Sequence, residues 1–351
     1  MAFLHLIPVK EMFNIIGFQS IFLVLIVIPV FSQKTTDLLP ISGADSTYVR
    51  KFLRKNELRM FYGGQGNNLS IGSTRDKDIN VNSDLYNNTN DFIGFGVTYG
   101  WLNGDMSFSL PGSTYLKEER SNLTQFKIAL GHARRKMVYR MYYIESTGVV
   151  LSGSNNEFES TPSIHEVKFG MQITYLFNAS KYSYRAAMYQ SEYQMKTAGS
   201  FLIRFDPFYR KIGANGRRMI PEEYDLVSRF GEQAGLEYIN SPGMLVLVGY
   251  GLNIVIGDSK FFISPIVSVG IGLAQNRYVT ANGTGSFNST EYGANAVLNA
   301  GYNGTKYYAK IFFNWSSGYT TLDPTYLTHS NLNCVITVGR RFKSFKKKLE
   351  G

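Results

Sequence analysis

Residues 166–177 read Glu166-Val167-Lys168-Phe169-Gly170-Met171-Gln172-Ile173-Thr174-Tyr175-Leu176-Phe177. Val167, Phe169, Met171, Ile173, Tyr175 and Phe177 share one parity, while Glu166, Lys168, Gly170, Gln172, Thr174 and Leu176 share the other. A period of two marks a β-strand, whose successive side chains point to opposite faces. After a break at 178–181, Tyr182, Tyr184, Ala186 and Met188 alternate with Ser183, Arg185, Ala187 and Tyr189. Farther on, Phe201, Ile203, Phe205 and Tyr209 alternate with Leu202, Arg204, Asp206 and Arg210. One face is greasy and aromatic, the other charged and small, and all three runs read as strands.

A soluble sandwich alternates too, so parity alone leaves two folds open. Strand length separates them. Several runs reach about ten residues, longer than globular strands and enough for a tilted strand to cross a bilayer. The greasy face is therefore read as lipid-facing and the charged, glycine-rich face as the lumen of an all-β, transmembrane, antiparallel up-and-down barrel. The sandwich remains the rival, and it requires a second sheet over the greasy parity.

Composition agrees. The 351 residues are 15% aromatic, with 24 Tyr, 25 Phe and only 2 Trp, and they include 34 Gly and 10 Pro, which suits short-turned strands with interfacial girdles. The slightly negative mean hydropathy does not exclude a membrane, because every second barrel residue faces water. The formal charge of +10 fits nucleic acid, anionic lipid or an anion-lined pore. The basic residues are scattered over strand ends and lumen-parity positions, with no basic helix or RNP-type aromatic strand, so nucleic acid is not an expected partner. A single Cys334, on the apolar parity of the last strand, can form neither an internal disulfide nor a multi-cysteine metal site.

The chain divides into four parts. Residues 1–32 carry an aliphatic run, Ile21–Val30, ending Val30-Phe31-Ser32, and read as a signal peptide cleaved after Ser32; an uncleaved anchor is the alternative. Residues 33–56 read as a periplasmic lead-in, 57–342 as the barrel, and 343–351 as a basic tail with Lys346–Lys348.

Within the barrel Glu57–Tyr62 with Leu69–Ser73 reads as the first strand or a glycine-bent pair, and Asn67–Asn90 as a long surface loop. Ile93–Trp101 and Met106–Leu110 flank an Asn103-Gly104 turn. Further hairpins turn at Ala133–Lys136, Gly257–Lys260 and Asn303–Thr305, and the polar segments 111–121, 148–163, 275–292 and 318–330 read as long outer loops. Short turns alternating with long loops suit a barrel with its turns in the periplasm. If Ser200–Ile212 runs inward, an outward strand must hide between Gly213 and Gly243, with Gln233–Asn240 as its candidate. The count is then about fourteen strands, or twelve if one hairpin is miscounted. At the end of the last strand, Thr337, Gly339 and Phe342 resemble the C-terminal signal read by the outer-membrane assembly machinery, although Ser344 stands where a final aromatic belongs.

Tyr175-Leu176-Phe177-Asn178, then Tyr182-Ser183-Tyr184-Arg185-Ala186-Ala187, then Gln194 and Thr197-Ala198-Gly199-Ser200-Phe201 resemble the hallmark of a Bacteroidetes-type outer-membrane family known only as a domain of unknown function. The resemblance runs from about Tyr48 to Phe342. It implies an outer-membrane barrel in a Gram-negative cell and supplies no activity, substrate or catalytic residue.

No enzyme motif emerges. His5 lies in the leader, His132 beside a turn, His165 at a strand start and His329 in a predicted outer loop, and none stands at metal-ligand spacing. His165 and Glu166 near Ser160 or Ser163 are the faintest hydrolase suggestion, and no cofactor is expected. Gly94-Phe95-Gly96 and Gly249-Tyr250-Gly251 open no helix and read as lumen glycines, not phosphate loops.

The most informative cluster is polar: Glu166, Lys168, Arg185, Glu192, Gln194, Arg204, Asp206 and Arg210, with Gln190 and Lys196 nearby. Facing lipid near the midplane these charges would cost a few kcal/mol each, so they are expected to face inward or sit at the rims. The leading function is a porin-like, passive or solute-selective pore whose basic lumen favours small anionic solutes. A filled envelope-structural or assembly barrel is second, and a surface lipid or peptide hydrolase third. The expected surroundings are the lipid bilayer and lipopolysaccharide of the bacterial outer membrane.

Overall fold

A computed structural model describes residues 38–343 except 74–82, 101, 112, 114–123, 148–163, 215–218, 220–234, 258–259, 281–282 and 322–324. The leader and residues 344–351 of the tail lie outside the described residues. Two short strands come first, β1 (Leu38–Leu39) and β2 (Val49–Phe52). Six long ones follow: β3 (Asn56–Ser73), β4 (Ser83–Tyr99), β5 (Leu102–Ser109), β6 (Thr124–Ala133), β7 (Met137–Thr147) and β8 (Ile164–Leu176). After a π-helix, Arg185–Tyr189, and the short β9 (Glu192–Gln194), six more complete the wall. These are β10 (Ala198–Ala214), β11 (Leu236–Val255), β12 (Phe261–Thr280), β13 (Gly283–Asn303), β14 (Tyr307–Thr321) and β15 (Thr325–Phe342).

β3–β8 and β10–β15 pair antiparallel in chain order, and β15 closes on β3 from Phe342 opposite Asn56 to Thr325 opposite Ser73. This is a closed barrel of twelve strands, the lower of the two expected counts. On β10 the parity is plain: Phe201 is 67% exposed and Leu202 4%. Val267, Val269, Ile271 and Leu273 on β12, with Val246 and Val248 on β11, continue an exposed apolar belt. Since the sheet closes on itself and leaves that belt bare, the sandwich is ruled out. Among the described residues no helix is long and apolar enough to cross a membrane, a fact that leaves strands free to do so.

Three expectations are corrected. Tyr182–Tyr189 is not a strand: it turns into the π-helix, and residues 177–197 form an insert between β8 and β10. β10 therefore starts at the end where β8 finished and pairs directly with β11, Gly213 opposite Tyr238, so no hidden outward strand is needed. The segments 275–292 and 318–330 are also mostly strand, because β12, β13, β14 and β15 run far past the belt. Twenty residues at about 3.3 Å each and a tilt near 40° rise roughly 50 Å, against about 30 Å of hydrocarbon. Beyond Leu273 the outward positions become Gln275 and Arg277, so the ladder continues after the apolar signal has ended. Asn67–Asn90 is likewise mostly β3 and β4.

The third correction concerns the β4–β5 turn, which comes at Gly100 and not at Asn103-Gly104, both of which lie within β5. Gly100 has φ +62°, the left-handed value a tight turn requires and a side chain resists. Asn103 is thereby released into β5, where its amide meets Arg59.

Candidate functional site

The links β4–β5, β6–β7, β11–β12 and β13–β14 are short and share one end of the barrel with the start of β3 and the finish of β15. The insert 177–197 enters from this turn end and stays inside. Its strand β9 joins β2 and β1 in a small sheet, Arg50 opposite Tyr193, so the lead-in docks onto the insert. Asp45 donates its amide to the Ser180 carbonyl at 2.9 Å, and Lys181 and Lys196 lie over the Tyr48 ring at 5.2 and 5.5 Å. Two hydrogen bonds from Thr47 hold the Asp45 carboxyl below the usual carboxylate range.

Together these parts form a plug. Ala186 and Ala187 are buried under the wall at 3% and 0% exposure, where larger side chains would clash. The π-helix ends at Gln190, which is fully buried and left-handed at φ 53°, and whose Nε2 donates to the Ala186 and Ala187 carbonyls at 3.1 Å. A strained non-glycine residue at a π-turn marks a place the surroundings over-determine. Glu192 is the hub: it accepts from the Ser183 hydroxyl at 2.6 Å and the Arg135 guanidinium at 3.0 Å, with Arg185 at 3.7 Å.

The wall grips the plug through its backbone. Asn253 donates to the Ser183 carbonyl (2.9 Å) and Gln194 (3.1 Å), Asn303 to the Glu192 carbonyl (3.0 Å), and Lys310 to the Met188 carbonyl (2.7 Å). Arg341 donates to the Gln190 carbonyl. At roughly 1 kcal/mol net each, these bonds make spontaneous ejection of the whole plug rare.

Gly251 on β11 faces the plug, and a Cβ there would collide with the Tyr182 phenol. Gly251→Val is therefore expected to lift Tyr182 and expose the plug to trypsin at Lys181 or Arg185. The barrel should stay folded by heat-modifiable gel migration; an unchanged digestion pattern would refute the packing account.

Beyond the plug the lumen opens into a chamber of about 420 Å³ whose floor is Tyr184, Met188 and Tyr189. Arg59, Lys127, Arg140, Lys168, Arg204, Arg210 and Lys310 line it, against Asp105, Glu166, Asp206 and Glu291. Seven cations thus face four carboxylates among the described residues. Near the floor Arg59 is fully paired. Arg59 donates to Glu57 (2.8 Å), Asp105 (2.8 Å), Thr98 (3.0 Å), Asn103 (2.9 Å) and the Gly104 carbonyl (3.2 Å). Higher up, Arg210 meets Glu291 at 3.3 Å, Glu291 accepts from Thr320 at 2.8 Å, and Asp206 accepts from Tyr142 and Gln172 at 3.3 and 3.2 Å.

The polar residues singled out from sequence fall into two places. Glu166, Lys168, Arg204, Asp206 and Arg210 line the chamber, whereas Arg185, Glu192 and Gln194 belong to the plug. His329 is corrected: it sits on β15 facing the chamber, 3.5 Å from Arg210, not in an outer loop. His165 lies 3.3 Å from Glu145, while Ser160 and Ser163 are outside the described residues. Among the described residues no three His, Cys, Asp or Glu side chains converge as a metal site would require. Thr337 lines the chamber, Gly339 leaves room for the Tyr308 ring, and Phe342 ends β15. Sequence reasoning missed Arg59, Lys127, Arg140 and Arg341; lumen parity on their strands was the signal that could have found them.

The chain belongs to the family described as "Domain of unknown function (DUF4421)", which it matches over residues 43–342. No curated protein matches the sequence. Among solved structures it is similar to the outer membrane protease OmpT from Escherichia coli, at 8% identity and a TM-score of 0.36 over 82% of this chain and 96% of that one. It is similar also to the Pseudomonas putida toluene transporter TodX (6%, TM-score 0.27, 83% and 91% of the two chains). A third is the translocator domain of the autotransporter NalP from Neisseria meningitidis (12%, TM-score 0.35, 86% and 91%). Likeness this distant carries no activity across.

Proposed function

We propose that this family member is a solute-selective conduit of the bacterial outer membrane, held shut at its periplasmic end by its own plug. Both barrel termini and the entry of the plug at one end support reading that end as the periplasmic one. The apolar belt would face the bilayer, with lipopolysaccharide around the projecting strands. Thr337, Gly339 and Phe342 would address the chain to the outer-membrane assembly machinery. Small anionic solutes then enter the basic chamber from outside the cell and stop at Tyr184, Met188 and Tyr189 until the plug moves.

The observation that carries this reading is that the chamber's floor is the plug itself, hydrogen-bonded to β11, β13, β14 and β15. A permanently open pore would have no such floor. The saturated network around Arg59 favours the second reading, a filled structural barrel, but only for the zone beside the floor.

The test is conductance in a planar bilayer. The intact refolded chain is expected to stay silent, and a chain with residues 178–196 replaced by a short Gly-Ser link to conduct in discrete, anion-preferring steps. Steady conductance by the intact chain refutes the closed state. Silence of the plug-free chain, with folding verified by gel migration, leaves the filled structural barrel.

A further inference from the structure

We infer that the chamber wall formed by β6, β7, β8 and β10 is a binding site for a small, multiply charged oxyanion, a class that includes phosphates, phosphate esters and polycarboxylates. The inference deepens the conduit reading and rests on it for access from outside the cell.

Lys127 on β6, Arg140 on β7 and Lys168 on β8 all face the chamber. Lys168 stands directly opposite Arg210 in the β8–β10 ladder, a like-charge cross-strand pair that destabilises a sheet. Lys127 lies within the field of Arg140 and Lys168 and of Asp105, whose carboxylate Arg59 already holds. Among the described residues no carboxylate stands at ion-pair distance from Lys127, Arg140 or Lys168.

The nearby carboxylates are engaged elsewhere. Asp206 accepts from Tyr142 and Gln172, and Glu291 holds Arg210 and Thr320; with Glu166 they reach Lys168 only through the longer-range field. The same barrel surrounds Arg59 with five acceptors and buries Arg341 in contact with three. Three cations that meet no counter-charge among the described residues, in the same chamber as an Arg59 held by five acceptors, make a vacancy for negative charge. Arg140 brings a planar fork suited to two oxygens of one oxyanion, and the lysines bring point charges. A chamber of about 420 Å³ admits a ligand of metabolite size.

The experiment is calorimetric titration of the intact refolded protein in zwitterionic micelles at low salt, with inorganic pyrophosphate and citrate as probes. At least one should bind, with affinity falling as salt rises. Lys127→Gln with Lys168→Gln should weaken binding by about tenfold or more. Without ligand, the same double variant should melt higher than the parent, because it relieves repulsion; charges serving only the fold would melt lower when removed. Should the pair impair folding, Arg140→Gln serves the same two measurements.

Preference for pyrophosphate or for citrate selects the phosphate or carboxylate branch. No binding of either probe to the folded parent, or equal binding by the variants, overturns the site. The outcome is separable from the gate: a silent barrel that ignores both anions loses this site and keeps the plug reading, whereas an open barrel that binds them loses the gate alone.

Discussion

Replacing Arg341 with alanine is expected to give a barrel that still folds but no longer stays shut. Its guanidinium lies 3.9 Å from the Phe52 ring centre on β2 and 4.6 Å from that of Tyr308 on β14. It donates to the Gln190 carbonyl of the plug, to the Gly304 carbonyl of the β13–β14 turn, and to Asn303 at 2.6 Å. One side chain, 2% exposed, thus ties lead-in, plug and wall together. Truncation strands three buried acceptors at about 1–3 kcal/mol each and leaves a hole between two rings.

The ladder of β15 with β3 and β14 uses backbone groups and is untouched. The loss should therefore fall on the plug. Arg341→Ala should keep heat-modifiable migration, gain trypsin cleavage at Lys181, Arg185 or Lys196, and show bursts of conductance where the parent is silent. Arg341→Lys keeps the charge without the fork and should fall between them. A variant as silent and protease-resistant as the parent would remove Arg341 from the gate.

The barrel was legible because a lipid-facing strand must repeat its apolar residues every second position, as Val267, Val269, Ile271 and Leu273 do. Legibility ended where that constraint ended. Past Leu273 the outward face meets water, so Gln275 and Arg277 carry no signal although β12 continues. The plug was misread for a different reason. Tyr182–Tyr189 alternates over only eight residues, too few to separate a strand from a π-turn that buries Ala186 and Ala187 and turns Tyr184, Met188 and Tyr189 to the chamber. Two signals pointed the other way: adjacent alanines suit a strand poorly, and the strand reading demanded an extra strand among Pro221, Glu222 and Pro242. The charge network was invisible for a third reason, since Glu57 and Arg59 on β3 are separated from Asp105 on β5 by the whole of β4, and only register brings them together.

That network makes the second large effect. Arg59→Met is expected to destabilise the barrel by roughly 3–5 kcal/mol, the usual consequence of leaving buried charge without its partner. Glu57, 1% exposed, and Asp105 would then lose the guanidinium that bridges them. The measurement is urea unfolding in lipid vesicles, followed by fluorescence of Trp101 and Trp315. Removing all three charges together, in Glu57→Gln, Arg59→Met and Asp105→Asn, should recover most of the loss, because no stranded charge remains. A loss under about 1 kcal/mol would mean that water already screens the site. Arg59 and Lys168 line one chamber, yet removing the first charge should weaken the barrel and removing the second with Lys127 should strengthen it. Opposite signs from like charges are what separate a network built to hold the wall from a vacancy kept for a ligand.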